Sequence, residues 1–107
     1  MTPARGQVYL VALGPAVGKE MRKTRPCVVL SPDDLNESLS TVIVAPLTTG
    51  GHPYPMRIPC TFRKRRGFVV LDQLRTVDVD RLVRRLGRLS SPTLGKCLTA
   101  LREMFLP

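Results

Sequence analysis

In "KTRPCVVLS" (residues 23–31) an arginine and a proline stand directly before a run of β-formers. Proline fixes its own φ and drives the preceding residue towards extended geometry. The backbone therefore holds Arg25 at the mouth of whatever Val28, Val29 and Leu30 help to bury. A guanidinium held in that way is suited to an anion, although most arginines at strand ends lie in solvent. Cysteine and histidine are sparse. Cys27, Cys60 and Cys97 are more than thirty residues apart with no C-x-x-C pair, and His52 is the single histidine. That spacing argues against a metal site and reads as three small buried hydrophobes.

Charge widens the case for an anionic partner. The 107 residues hold 17 Lys+Arg against 8 Asp+Glu, a net charge of +9. Residues 57–88 carry +7 and residues 5–25 carry +4, whereas residues 26–56 carry −3. Such an imbalance favours nucleic acid or an acidic protein segment over a merely solubilising surface. The length and the 43% hydrophobic fraction suit one domain over residues 1–107. No apolar run approaches the ~18 residues of a membrane span, and the first residues lack a signal-peptide pattern, so the expected compartment is the cytoplasm.

The elements that must position Arg25 can be read in order. "GQVYLVAL" (6–13) is β-rich with apolar residues at both parities, the pattern of a buried strand. Residues 14–24 form a long loop, and loops of that length tend to be functional. Residues 26–31 are a second strand. Residues 31–39 form a short helix, with Ser31 as N-cap, Pro32 at its first position and acidic residues in its first turn. A third strand spans 41–49, a Gly/Pro loop 50–55, and a fourth strand 56–62, which Pro59 confines to an edge. "RKRRG" (63–67) reads as a turn into a strand over 68–74. Leu82, Leu86 and Leu89 fit helix and strand spacing equally. Residues 90–106 are a helix with Ser91 as cap, Pro92 at its start and an apolar face of Leu94, Leu98, Leu101 and Phe105. The fold class is α+β, mostly β: a small, mostly antiparallel barrel or curled sheet with helices on one side.

The ordered set "RGQVYLVALGPAVGKE", "RPCVVLS", "TVIVAPLTT", "YP" and "LDQLRTVD", followed by a basic segment and a C-terminal helix, resembles the MazF/PemK family of endoribonuclease toxins from toxin–antitoxin pairs. The resemblance covers nearly the whole chain. It implies a curled SH3-like β-barrel, a homodimer, and cleavage of single-stranded RNA with no metal or other cofactor. It also tips residues 82–89 towards a strand. The family's catalytic arginine and threonine correspond here to Arg25 and Thr48. Two positions depart from the family's pattern. Glu20 of the G-x-E loop is followed by Met21 rather than glutamine. Val70 stands where the PemK-like branch has a second catalytic arginine, which leaves Asp72 as a substrate contact.

Metal-free RNA cleavage requires alignment of the 2′-hydroxyl on the adjacent phosphorus and stabilisation of a phosphorane with extra negative charge. The products are a 2′,3′-cyclic phosphate and a 5′-hydroxyl. Arginine stays protonated, so Arg25 is a charged fork on the phosphate oxygens. Thr48 is a hydrogen-bond donor to the same phosphate, and Glu20 a candidate base or base-edge acceptor. The expected RNA contacts are Lys19, Met21, Arg22, Lys23 and Thr24 from the first loop, with Thr49, Tyr54, Asp72, Gln73 and Arg75 beyond it. Tyr54 can stack on a base, Asp72 and Gln73 can read base edges, and Arg75 can stack or hold phosphate. The alternative for "DQLRTVD" is a structural segment with Asp78 capping the next turn. The expected protein partner is an acidic antitoxin that folds along the basic surface. Two rival functions share this fold: an RNA-binding module that does not cut, and a gyrase-type toxin directed at a protein. Discrete RNA fragments in excess EDTA separate cleavage from both.

Overall fold

Segments with valine at both parities become the interior of one sheet. The computed structural model describes residues 2–14 and 23–107. Its strands are β1 (Gln7–Ala12), β2 (Thr24–Val29), β3 (Thr41–Pro46), β4 (Arg57–Phe62), β5 (Arg65–Val70), β6 (Arg75–Asp78) and β7 (Leu82–Arg88). The helices are α1 (Asp33–Ser38) and α2 (Ser91–Met104). β6-β3-β2-β1-β7 form an antiparallel sheet, and β4-β5 a separate hairpin. An isolated bridge between Leu47 and Val69 ties the two together. The result is mostly β, curled rather than closed into a barrel.

Strands covered on both faces read as continuous apolar runs, and two cores account for those of β1, β2 and β3. On one face Val8, Val28, Leu30, Ala45 and Leu47 pack with Val69 of the hairpin, with Leu71 just after it, and with Cys97 and Ala100 of α2. On the other, Val11, Cys27, Val29, Val42, Val44 and Val77 form a second cluster. β7 carries two irregularities: Val8 pairs with Gly87 but Tyr9 with Arg85, and Leu10 pairs with Arg84 but Val11 with Leu82. Each adds one residue on β7, and such bulges bend a strand. They also break its period-2 alternation, which is why Leu82, Leu86 and Leu89 mimic helical spacing.

Four local expectations are corrected. The hairpin turn is only Arg63–Lys64, with φ 50° and 66°, because Phe62 pairs with Arg65; Arg66 and Gly67 lie inside β5. The strand expected over 68–74 ends at Val70, and Leu71–Gln73 form a 3₁₀ turn before the separate strand β6. Ser31 does not cap α1, whose N-cap is Pro32. Its hydroxyl instead donates to Asn36 and accepts from the Ile43 N–H at 3.0 Å, joining α1 to β3. Ser90, not Ser91, caps α2, accepting from the Thr93 N–H at 3.3 Å, and Phe105 lies past the helix and is exposed.

Candidate active site

The register of β2 against β3 brings the site together. Cys27 pairs with Pro46, and the Leu47 N–H donates to the Pro26 carbonyl at 2.8 Å. Arg25 and Thr48 are the next residues beyond that bond on the two segments. Pro26 donates no hydrogen bond, so the strand end is held through its carbonyl and Arg25 stays extended against Val11 of β1. The Arg25 Nε is buried and has no hydrogen-bond partner. An unsatisfied buried donor costs about 1–3 kcal/mol.

Thr48 is fixed by the hairpin. Its hydroxyl accepts from the Phe68 N–H at 3.1 Å and donates to the Gly50 carbonyl at 3.1 Å, with the Phe68 carbonyl at 3.5 Å. Its N–H donates to the Phe68 carbonyl at 2.9 Å, and the Gly50 N–H to the Arg66 carbonyl at 2.8 Å. Arg25, Thr48 and Thr49 line one cleft of about 390 Å³ between the sheet and the hairpin. Arg63 and Arg65 of the hairpin and Arg84 of β7 complete its charged wall, and Leu10, Leu47, Phe62 and Leu86 supply apolar lining. Four guanidinium groups and no carboxylate line it among the described residues. Arg63 also donates to the Leu86 carbonyl at 2.6 Å, which fastens the hairpin tip to β7.

The cysteines are poorly suited as nucleophiles. Burial pushes the Cys27 thiol up to about 12, against a smaller opposing effect of the nearby Arg75 and Arg25. Burial likewise raises Cys60, which lies in the cleft, and lifts Cys97 to about 11.

The other expected contacts do not line this cleft. Tyr54 is exposed, with the His52 ring 4.5 Å away and the Arg57 guanidinium 4.8 Å from its ring centre. Arg57 also grips Asp72 with two bonds of 3.1 Å. That grip holds the Asp72 carboxyl below the usual carboxylate range and raises Arg57. Both Asp72 oxygens face Arg57. Gln73 is half-buried beside it in the 3₁₀ turn. Arg75 donates to the Leu13 carbonyl at 3.3 Å, and Asp78 accepts from the Asp80 N–H at 2.9 Å, the capping role that the alternative structural reading gave it. Lys23 exchanges backbone bonds with Leu13 and Gly14, and Thr24 is exposed opposite Ala12. Lys19, Glu20, Met21 and Arg22 lie outside the described residues. Sequence reasoning did not single out Arg57, Arg63, Arg65 or Arg84; the +7 of residues 57–88 was the signal that they share.

A family model described as the PemK-like, MazF-like toxin of type II toxin-antitoxin systems matches residues 4–105, and the chain belongs to that family. Endoribonuclease MazF of Staphylococcus epidermidis is 35% identical to it over 92 residues, covering 80% of this chain and 77% of its own. Endoribonuclease EndoA of Bacillus subtilis (strain 168) is 33% identical over 110 residues, covering 95% and 93%. Among solved structures, an endoribonuclease in complex with its cognate antitoxin from mycobacterial species superposes with a TM-score of 0.82. It is 29% identical, over 98% of this chain and 97% of that one.

Proposed function

We propose that this chain is an endoribonuclease toxin that cuts single-stranded RNA without a metal ion and is neutralised by an acidic antitoxin. The observation that carries the reading is the unpartnered Arg25 Nε at a cleft lined by four arginines and Thr48. A phosphodiester seated there receives the guanidinium fork and a hydroxyl donor on its non-bridging oxygens. Both gain strength as the 2′-hydroxyl attacks and phosphorane charge develops. The 2′-proton passes to a base as the bond from phosphorus to the 5′-oxygen breaks, and the departing oxygen takes a proton from water, leaving a cyclic phosphate and a 5′-hydroxyl. Glu20 is proposed as the base or as a base-edge contact. The named activity of the relatives and the antitoxin complex of the mycobacterial structure support the assignment. The test is incubation with a long single-stranded transcript in excess EDTA, followed by mapping of the ends. Discrete fragments with 5′-hydroxyl termini are expected; an intact transcript bound by the protein would leave only a binding module.

A further inference from the structure

We infer that Gly67 is a positioning residue for the Thr48 hydroxyl, the hairpin backbone acting as the template on which the catalytic threonine is set. A Cβ at position 67 would lie 1.7 Å from the Thr48 carbonyl oxygen, 2.6 Å from its carbon and 3.1 Å from the Thr49 Cα. All three are backbone atoms, so no rotamer change relieves the clash. At Gly6, by contrast, the nearest atom would be a Leu94 side-chain methyl at 2.9 Å, and at Gly95 nothing lies within 4 Å. The φ of Gly67 is not positive, so the requirement is steric rather than conformational.

The close approach has a chemical result. It lets the Phe68 N–H reach the Thr48 oxygen at 3.1 Å while the Thr48 N–H reaches the Phe68 carbonyl at 2.9 Å. The donated N–H polarises the hydroxyl and makes its proton a stronger donor to a phosphate oxygen. That proton points to the Gly50 carbonyl in this structure and must turn to the substrate. With a Cβ at position 67, the Thr48–Thr49 backbone would have to retreat by more than 1 Å to reach the 3.0 Å that real contacts keep. A displacement of that size can cost roughly a hundredfold in rate.

The inference rests on the proposed role of Thr48, and the test separates the two. The single-turnover cleavage rate of a long transcript is measured for the parent, Gly67→Ala, Thr48→Val and the double variant, together with RNA affinity and thermal stability. Gly67→Ala is expected to slow cleavage about a hundredfold with affinity within about threefold. The double variant is expected to be no slower than the slower single variant, as for residues acting through one group. Should Gly67→Ala fail to fold, an amide-to-ester change between Gly67 and Phe68, made by semisynthesis, deletes the Phe68 N–H without adding an atom. It should slow cleavage about tenfold at unchanged affinity. Near-parental cleavage by Gly67→Ala, or by the ester where that variant is used instead, with Thr48→Val impaired, overturns the positioning role and leaves that of Thr48 standing. Multiplying losses in the double variant overturn it as well. Near-parental cleavage by Thr48→Val overturns both.

Discussion

Arg25→Lys holds the charge of the cleft constant and removes only the planar fork and the Nε–H. Lysine cannot span two phosphate oxygens in the bidentate geometry that a guanidinium offers. Loss of one preorganised donor to a developing oxyanion lowers the rate by about 10²–10³-fold, about 2.7–4 kcal/mol. RNA affinity should fall only a few-fold, because Arg63, Arg65 and Arg84 line the same cleft and are untouched. The stability of the free protein should move the other way. The variant deletes a buried Nε that has no partner, whose burial costs about 1–3 kcal/mol. The expected signature is thus a slow enzyme that melts no lower than the parent. The assay pairs single-turnover cleavage and filter binding with a thermal melt. Cleavage within threefold of the parent, at matched fold, would refute the reasoning and remove Arg25 from the chemistry. Equal losses in cleavage and binding would make it an ordinary backbone contact.

Binding to unstructured RNA should weaken steeply with salt: roughly four phosphate contacts predict a slope near −3 in log K against log salt, and a flat line would point the basic surface elsewhere. Asp72→Asn should lower thermal stability slightly at neutral pH. Because the folded state depresses the Asp72 pKa, the parent's advantage should persist above the usual carboxylate range and vanish as pH falls through the depressed value. A difference that survives full protonation would show that the contact is not ionic. Light scattering at micromolar concentration should report a homodimer; a stable monomer would rule out the expected assembly.

Arg25 was legible from sequence because its constraint is local: the following proline dictates its backbone. The strands β1, β2 and β3 were legible for a similar reason, since apolar residues at both parities demand cover on both sides. Gly67 was misread. Beside four basic residues it resembles turn punctuation, and its reason to be glycine is a threonine backbone nineteen positions away in sequence. β7 was ambiguous because its two extra residues shift the face that each leucine presents. The Arg57–Asp72 pair was not legible, because its two members lie fifteen positions apart in sequence. The arginine wall of the cleft was visible only as summed charge, because topology decides which basic residues converge.

The hairpin tip carries a consequence for anyone engineering this protein. Arg63 and Lys64 both adopt positive φ, a left-handed geometry that costs an ordinary residue roughly 1–2 kcal/mol and that such turns usually assign to asparagine and glycine. Stability-guided redesign would choose Arg63→Asn with Lys64→Gly first. The same change deletes one guanidinium of the cleft and the 2.6 Å bond that fastens the hairpin to β7. The edit that relieves backbone strain at the tip therefore also loosens the hairpin and strips charge from the cleft, so it is expected to slow cleavage whatever it does to the melting temperature.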